Sequence, residues 1–178
     1  MSSIIAFAGS NSSTSINFKL VQYTAGLLEG KEVQLLNMAN YPFPMYSEDH
    51  EKEKGFSNSL VELRNDLMNA KGVIISVNEH NSSPSAYFKN VLDWLSRLER
   101  NFLENTEVLL MSTSPGKRGA MGSLEIIEKA LPRFGAHVSA TFSLPSFYEN
   151  FDMEQGITDA ELAEKHQLAL SEFLAAIG

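Results

Sequence analysis

The sequence predicts an α/β fold in which a doubly wound, five-stranded parallel sheet lies between two layers of helices. Two observations predict this class. Short apolar runs recur along the chain without strict alternation of polar and apolar residues, a pattern typical of strands buried on both faces. Segments with a helical spacing of apolar residues separate these runs, so that strand and helix alternate regularly.

Each predicted strand is a short run rich in apolar residues. The runs occupy residues 4–8, 33–36, 73–77, 108–111 and 138–142. No internal repeat, linker or low-complexity tract interrupts the alternation, and 178 residues can bury a substantial core. We therefore expect one domain that covers residues 1–178.

The predicted helices each place apolar residues on one face. Four of these faces are formed by Ile16, Leu20, Tyr23 and Leu27; by Phe56, Leu60, Leu63 and Leu67; by Phe88, Leu92 and Leu95; and by Leu124, Ile127, Leu131 and Phe134. A last helix is expected to begin at a capping box formed by Thr158 and Glu161 and to bury Leu170, Phe173, Leu174 and Ile177. Residues 41–55 lack this spacing, and we expect an irregular segment whose aromatic first half borders a site and whose charged second half is exposed.

The succession of five strand–helix units favours the strand order 2-1-3-4-5, which is flavodoxin-like, with a Rossmann-like order as the alternative. In the first order, strands one and three are neighbours. The loops that follow these two strands then lie side by side at the carboxyl edge of the sheet, where open α/β sheets bind their ligands.

Composition excludes several classes of function. A formal net charge of −8 argues against a binder of duplex nucleic acid or of anionic membranes, and no segment approaches the length of a membrane span. The absence of cysteine excludes disulfides, thiolate metal sites and a cysteine nucleophile. The first ten residues lack the basic start and the long apolar stretch of a signal peptide, so a cytoplasmic protein is expected.

The histidines do not indicate a metal site, because His50, His80, His137 and His166 are dispersed without a ligand spacing. His137 and His166 fall on predicted secondary structure, where structural or surface roles are expected. Only His80 lies in a candidate site loop. A serine hydrolase that pairs Ser10 with His80 is a less favoured alternative, because the chain has no GxSxG or SxxK motif.

The loop after the first strand carries hydroxyl groups at five of six positions, namely Ser10, Ser12, Ser13, Thr14 and Ser15. It leads directly into a helix that begins near Ile16. Free amides at a helix N-terminus together with hydroxyl groups form an anion site without a cationic side chain. A single hydroxyl would suffice to cap the helix, so we favour a phosphate-binding loop over simple capping.

The loops after the third and fourth strands are also polar. The second loop, residues 78–83, offers amides, hydroxyls, Glu79 and His80, which can bind the polar edge of a flat heterocycle; the alternative is a hydrophilic turn before a helix capped by Ser85. The third loop, residues 112–122, contains three glycines at GxxGxxG spacing and the basic pair Lys117 and Arg118. This pair can face an anionic reduced cofactor or the phosphates of a second nucleotide, although a solvated loop tip is the simpler interpretation of each side chain.

These residues resemble the NADPH-dependent FMN reductases of the flavodoxin-like superfamily. Members carry GSxRxxSxN after the first strand, PEYNGSxPxxxKNxxDWLSR after the third, and a loop rich in serine, proline and glycine after the fourth. In this chain the corresponding segments are GSNSSTSIN (9–17), NEHNSSPSAYFKNVLDWLSR (78–97) and SPGKRG (114–119), and KNVLDWLSR is the most specific piece. The later segment SLPSFYENF (143–151) is similar to one branch of the family.

Four positions depart from the family pattern. Ser12 occupies the place of the arginine in the first loop, which removes a guanidinium able to bind phosphate through two hydrogen bonds. In the second loop Asn78, His80 and Ser82 occupy the places of proline, tyrosine and glycine. These changes alter the surface that faces the flavin.

The resemblance implies which residues bind FMN. The phosphate is expected on the first loop, at Ser10, Ser12, Ser15, Ile16 and Asn17. The isoalloxazine ring is expected against Asn78, Glu79, His80, Asn81, Ser82 and Ser83, and against Ser114, Pro115, Gly116, Lys117, Arg118 and Gly119. No catalytic acid or base is expected, since the flavin itself carries the reaction.

The resemblance also implies the activity and the assembly. NADPH or NADH is expected to reduce FMN, which then passes two electrons to a small-molecule acceptor: a quinone, an azo or nitro compound, a metal oxyanion or free flavin. A homodimer or homotetramer with the DWLSR helix at its interface is expected, so Trp94 belongs either to the core or to that interface, and Asp93 can pair with Arg97 along the helix. The alternatives are a non-enzymatic FMN-binding electron carrier, favoured by the acidic charge, and a subunit that has lost tight FMN binding.

Overall fold

The computed structural model describes residues 3–178, with the backbone alone at Ser3. Residues 1 and 2, the start of the segment considered above as a targeting signal, lie outside the described part of the chain. The strands of the main sheet are β1 (Ser3–Ala8), β2 (Glu32–Leu36), β3 (Gly72–Val77), β6 (Glu107–Thr113) and β7 (His137–Leu144), and two short hairpins are formed by β4 (Glu79–His80) with β5 (Ser83–Pro84) and by β8 (Phe151–Asp152) with β9 (Gly156–Ile157). The helices are α1 (Ile16–Gly26), α2 (Glu48–Lys54), α3 (Asn58–Asn69), α4 (Ala86–Leu98), α5 (Met121–Ala130), α6 (Phe147–Asn150) and α7 (Ala160–Ile177), and 3-10 turns cover Met38–Asn40 and Leu131–Phe134.

The main sheet has the order β2-β1-β3-β6-β7, and each neighbouring pair of strands is parallel. In terms of the five main strands this is the predicted order 2-1-3-4-5. The prediction of a doubly wound parallel sheet is therefore confirmed, and the Rossmann-like alternative is not. The carboxyl ends of β1, β3 and β6 meet at the centre of one edge of the sheet.

Side chains that alternate along the strands supply two apolar cores, one on each face of the sheet. On β1, Ile5 and Phe7 belong to the core shared with α3, α4 and α5, whereas Ile4 and Ala6 belong to the core shared with α1 and α7. All six residues of β3 are buried. The sheet is thus covered on both faces, as expected for parallel strands with helical crossovers.

Two expectations about helices were wrong. The last helix is capped by Asp159, whose Oδ1 accepts a hydrogen bond of 2.9 Å from the backbone N–H of Leu162, and not by a capping box at Thr158. Glu161 pairs with Lys165 instead. The charged second half of residues 41–55 is not irregular but forms α2, which is capped by Ser47 and has no buried residue.

Helix α4 is held by contacts that the sequence did not reveal. Arg97 binds Glu51 of α2 and Asp93 binds Lys89, so the expected pairing of Asp93 with Arg97 was wrong. Trp94 belongs to the core of its own chain, since it is 3% exposed and its Nε1 donates a hydrogen bond of 2.8 Å to the carbonyl of Pro44. The first half of residues 41–55 therefore packs on α4.

Among residues 3–178, no helix is both long enough and apolar enough to cross a membrane.

Candidate functional site

A cavity of about 250 Å³ lies at the carboxyl ends of β1, β3 and β6. It is lined by Ser10, Ser12, Thr14, Ser15, Ile16, Asn17, Asn78, Glu79, His80, Thr113, Ser114, Pro115 and Tyr148. The structure thus brings together ten residues of the predicted site from all three loops. Its position matches the place where open α/β sheets bind ligands, next to the point at which the strand order reverses.

The first loop presents two unpaired backbone N–H groups at the start of α1. Ser15 caps the helix, since its Oγ accepts from the N–H of Phe18 at 3.2 Å. Ile16 and Asn17 occupy the first two helical positions, and among the described residues their N–H groups have no acceptor. Unsatisfied N–H groups at a helix N-terminus attract an anion, which is the chemistry of a phosphate site.

The hydroxyl groups of the first loop organise its turn as well as the cavity wall. Ser10 Oγ accepts from the N–H of Ser12 at 3.2 Å, and Ser12 Oγ accepts from the N–H of Thr14 at 3.3 Å. Ser10 Oγ retains a proton that can be donated to a ligand, whereas Ser12 Oγ also lies 3.3 Å from Thr14 Oγ1, a contact in which either hydroxyl can be the donor. Ser15 alone provides the cap, and the other two hydroxyls shape the turn; phosphate binding by this loop stays a prediction.

Asn17 has a structural role in addition to its place in the cavity wall. Its side chain is buried, and its Nδ2 donates to the carbonyl of Thr113 at 3.1 Å. Its Oδ1 accepts from Ser76 Oγ at 2.7 Å and from the N–H of Thr113 at 3.1 Å. Through this one amide, the start of α1 is bonded to the ends of β3 and β6.

The second loop is a tight hairpin in which β4 pairs with β5. Asn81 and Ser82 have φ angles of +52° and +61°, which places both central residues of the turn in the left-handed region, as in a type I′ turn. Asn78, Glu79 and His80 line the cavity, whereas Asn81, Ser82 and Ser83 lie outside its wall. Ser85 caps α4, as the simpler interpretation of this segment expected, and also donates a hydrogen bond of 2.8 Å to the carbonyl of Gly9.

Asn78 leaves one hydrogen-bond acceptor unused beside the cavity. Its Nδ2 lies 3.2 Å from His80 Nε2, and because an amide nitrogen only donates, Nε2 is the acceptor. Its Oδ1 is buried and has no partner among the described residues. A buried acceptor without a partner is rare and unfavourable. An N–H group of a ligand can donate the missing hydrogen bond. Isoalloxazine carries such an N–H, so the residues present fit a flavin.

Two hydrogen bonds connect the second loop to α5. Glu79 Oε2 accepts from the N–H of Ser123 at 2.9 Å, and Ser123 Oγ donates to the carbonyl of Asn78 at 2.8 Å. Gly122 permits this approach, since a Cβ at that position would lie 2.8 Å from Glu79 Oε2. Glu79 therefore serves as the side-chain cap that Ala120, the residue before α5, cannot provide.

Only some of the site residues predicted in the third loop line this cavity. Ser114 and Pro115 line the cavity, but Gly116, Lys117, Arg118 and Gly119 do not. The loop is held firmly, because the carbonyl of Gly119 accepts from Ser112 Oγ at 2.7 Å and from Ser143 Oγ at 2.9 Å. Gly119 has a φ of +59°, a conformation that favours glycine.

Sequence reasoning missed Thr113 and Tyr148 as residues of the cavity wall, and Thr14, although counted among the hydroxyls of the first loop, was absent from the FMN contacts that the resemblance implies. Tyr148 lies on α6 and is 72% exposed. Its backbone is positioned by Phe147, whose N–H donates to the carbonyl of Ser114 at 3.0 Å and whose ring stacks on Phe151 at 4.7 Å. The SLPSFYENF segment was the available signal for Tyr148, because it follows the strand next to the third loop.

The wall of this cavity is nearly neutral. Among the described residues, neither lysine nor arginine lines it, and Glu79, its one carboxylate, is bonded to Ser123. An anion in this site is therefore held by N–H and hydroxyl dipoles rather than by a counter-charge. The fold is that of a flavodoxin-like protein, and the cavity offers N–H and hydroxyl dipoles of the kind that suit a phosphate-bearing cofactor.

The chain belongs to the NADPH-dependent FMN reductase family, whose model it matches over residues 2–149. This confirms the family resemblance, and with it an NAD(P)H-dependent FMN oxidoreductase with FMN as cofactor, in preference to a non-enzymatic electron carrier.

Two curated proteins show the range of similar sequences. The MG342 homolog of Mycoplasma pneumoniae is 28% identical over 156 residues, which is 85% of this chain and 92% of that protein. The quinone reductase of Escherichia coli strain K12 is 37% identical over 76 residues, which is 43% of this chain and 40% of that enzyme. The match to the quinone reductase thus spans less than half of either chain.

Solved structures of flavoenzymes share the fold. FerB, an NAD(P)H:(acceptor) oxidoreductase from Paracoccus denitrificans, aligns with a TM-score of 0.79 at 24% identity, with 99% of this chain and 97% of that chain covered. The NADH:FMN oxidoreductase EMOB aligns with a TM-score of 0.76 at 20% identity, over 100% and 91% of the two chains. An azoreductase from Bacillus anthracis aligns with a TM-score of 0.67 at 15% identity, over 96% and 100%.

Proposed function

We propose that FMN binds in the 250 Å³ cavity with its phosphate on the first loop and its ring against the second and third loops. The single observation that carries this proposal is the pair of unpaired N–H groups of Ile16 and Asn17, which open into a cavity that is lined by hydroxyl groups. Ser10, Ser12 and Ser15 complete the expected phosphate contacts. We expect FMN to contact only residues of the cavity wall. Direct contact is therefore not expected at Asn81, Ser82, Ser83 or residues 116–119.

The residues that face the ring supply hydrogen bonds and a flat surface. Among the described residues, Asn78 Oδ1 is an acceptor without a partner, and residues 113–115 line the same cavity. Tyr148 and His80 add planar side chains at its edge. When bound, FMN supplies the transfer of hydride from a nicotinamide and of electrons to an acceptor, and the protein orients the reactants.

Among the described residues of the cavity wall, no side chain has the setting of a catalytic acid or base. Glu79, the one carboxylate, is committed to the N–H of Ser123, and His80 Nε2 already accepts from Asn78. The chain therefore contributes positions and dipoles and not a proton-transfer group. This agrees with the expectation of no catalytic residue, which stays a prediction.

The acceptor we propose is a small molecule, with quinones as the first class to test. The partial similarity to the quinone reductase of Escherichia coli supports this choice, as does an open cavity whose wall carries a highly exposed tyrosine. Azo compounds, nitro compounds, metal oxyanions and free flavin form the panel for comparison. We also propose a cytoplasmic location, which agrees with the cysteine-free composition.

A homodimer through α4 and α5 is part of the proposal. A groove of about 420 Å³ lies between these helices, and Ile126 on its wall is 45% exposed. Charged residues of both signs surround it, among them Asp93 and Arg133, which suits a self-complementary surface. Light scattering should show a dimer or tetramer for the wild type and a smaller species for Ile126→Glu.

The phosphate contact can be tested at one backbone atom. Proline is well tolerated at the first helical position, and Ser15, with φ −56° and ψ 119°, already has the extended conformation that precedes a proline. Ile16→Pro therefore removes one N–H while it keeps the helix. We expect its FMN dissociation constant to rise about tenfold, as for the loss of one hydrogen bond to a charged group.

Two controls make this test specific. Ile16→Ala keeps the N–H and loses only the side chain, so it separates packing from phosphate binding. Riboflavin lacks the phosphate and should bind the wild type and Ile16→Pro equally. A proline variant that binds FMN like the wild type would show that the phosphate lies elsewhere.

The activity itself is tested by an anaerobic absorbance scan of the FMN-loaded protein. Addition of NADPH or NADH should bleach the flavin bands, and subsequent addition of a quinone should restore them. A bound flavin that neither nucleotide bleaches would exclude the proposed donor.

A further inference from the structure

A second and larger cleft, of about 470 Å³, lies on the other side of the third loop. It is bounded by the third loop, α5, β7 and α7. Its wall consists of Lys117, Arg118, Met121, Leu124, Thr141, Phe142, Ser143, Pro145, Leu162, Lys165, Leu168, Ala169 and Glu172. Its volume is in the range of sites for small molecules and cofactors.

The cleft has a cationic rim in an acidic protein. Lys117 and Arg118 form no ion pair within residues 3–178, although the chain has a net charge of −8. Lys165 is paired with Glu161, and Glu172 is the one carboxylate in the wall. Two cations are therefore available to an anionic ligand at one end of the cleft.

The same cleft exposes apolar side chains. Leu168 is 60% exposed and Met121 is 36% exposed, and both belong to its wall together with Leu162. A flat heterocycle packs well on such a surface, and methionine sulfur makes favourable contacts with aromatic rings. A ligand that is anionic at one end and flat and apolar at the other matches both features.

The third loop is a wall that the two cavities share. Pro115 faces the FMN cavity and Lys117 the cleft, and two residues of extended chain span at most about 7 Å. The carbonyl of Gly116 accepts from the N–H of Ser146 at 2.9 Å, so the wall is fixed to the segment after β7. The FMN cavity and the cleft are therefore separated by one short loop, a distance that an extended dinucleotide is long enough to bridge.

We propose that this cleft binds the adenosine-phosphate half of the nicotinamide dinucleotide, with Lys117 and Arg118 on its phosphates and Met121 and Leu168 against its adenine. This inference rests on the proposed function, because it places the nicotinamide half in the FMN cavity. From the sequence, the phosphates of a second nucleotide are one possible partner of Lys117 and Arg118, and the proposed place for these phosphates is this cleft.

The test compares two electron donors. Reduced nicotinamide mononucleotide carries the reacting ring but lacks the adenosine phosphate. In the FMN-loaded protein, Lys117→Gln combined with Arg118→Gln should raise the KM for NADPH by about tenfold or more, as expected for lost charge-assisted hydrogen bonds, and leave the KM for the mononucleotide unchanged. Leu168→Asp, at an exposed position, should act in the same direction by repulsion.

Lys129→Gln is the matched control, since Lys129 is an exposed cation on α5 that does not line the cleft. It should leave the kinetics of both donors unchanged. NADH separates the phosphates: an equal rise of KM for NADH and NADPH assigns the pyrophosphate, and a rise for NADPH alone assigns the 2′-phosphate.

Binding of 2′,5′-ADP, measured by calorimetry, tests the cleft without any flavin chemistry. The wild type should bind it, and the double variant should not. An unchanged KM for NADPH, or an equal change for the mononucleotide, would overturn the inference, including the case in which a protein partner occupies the cleft. A wild-type protein that binds 2′,5′-ADP in the cleft but accepts electrons from no donor would instead contradict the proposed function.

Discussion

The carboxylate of Glu79 accepts a hydrogen bond of 2.9 Å from the backbone N–H of Ser123. This bond joins the second loop of the cavity to the first turn of α5. Because Ala120 offers no capping side chain, a residue from a distant loop stabilises the positive end of the helix dipole. A substitution at Glu79 should therefore change the stability of α5.

Glu79→Ala should lower the free energy of unfolding by about 1 kcal/mol, the usual loss for a missing helix cap. Glu79→Gln keeps an acceptor oxygen and should lose only the charge–dipole part, about 0.5 kcal/mol. Urea unfolding followed by circular dichroism measures both. Glu128→Ala, at an exposed position of the same helix, is the control and should stay near the wild type.

Ser12→Arg should strengthen FMN binding. The wall of the cavity contains neither lysine nor arginine among its described residues, so a guanidinium would add a charge-assisted contact to the phosphate. We expect the dissociation constant to fall by about tenfold in calorimetry at low salt. Ser13 does not line the cavity, so Ser13→Arg should lower the FMN dissociation constant less. Neither substitution should change the affinity for riboflavin.

Ser82→Gly should stabilise the hairpin of the second loop. Ser82 has a φ of +61°, where an L side chain raises the energy and glycine does not. We expect a gain of about 0.5 kcal/mol after the entropy of glycine in the unfolded chain is subtracted. Ser83→Gly, in the adjoining strand β5, should destabilise the protein. Equal effects of the two substitutions would contradict a conformational origin.

His166 should make stability depend on pH. It is 1% exposed, its Nε2 lies 2.9 Å from Thr24 Oγ1, and burial lowers its pKa from 6.5 to about 4. Between these two values the unfolded chain binds a proton that the folded protein does not, so stability falls as the pH falls. From about pH 7.5 to about pH 4.5 this group alone should lower the free energy of unfolding by about 2 to 3 kcal/mol.

Urea unfolding of wild type and His166→Gln at both pH values isolates this contribution from that of the carboxyl groups. On acidification the variant should lose about 2 to 3 kcal/mol less of its free energy of unfolding than the wild type does. Parallel curves for the two proteins would show that His166 titrates normally in the folded state.

The apolar pattern located all five main strands, but it missed the polar end of β6. The predicted run stops at residue 111, whereas β6 continues to Thr113. Ser112 and Thr113 are buried there because their hydroxyl groups donate to the carbonyls of Gly119 and Leu144, both at 2.7 Å. Gly119 lies in the third loop and Leu144 at the end of the neighbouring strand β7, so no local pattern of apolar residues reveals these acceptors. The omission of Thr113 from the predicted site has the same cause.

Charged residues on helices were predicted less well, because several partners compete for each of them. Arg97 pairs with Glu51, which also accepts from the Tyr46 hydroxyl at 2.8 Å, and these two contacts lower the pKa of Glu51. Helix α2 carries Glu51 and has no apolar face, so the spacing of apolar residues could not predict it. In the same way Thr158 and Glu161 satisfied a capping pattern, while the adjacent Asp159 makes the actual cap.

In the short third loop, a change of length and a change of side chain have different consequences. Its length is constrained from both sides, because Gly116 and Gly119 are bonded to Ser146 and to the side chains of Ser112 and Ser143. An insertion or deletion in this loop would disturb the FMN cavity and the cleft at the same time. Point substitutions at Lys117 or Arg118 alter only the outer surface. In the binding mode proposed above, substitutions at these two positions would change the contacts to the reductant and leave the residues that line the FMN cavity in place.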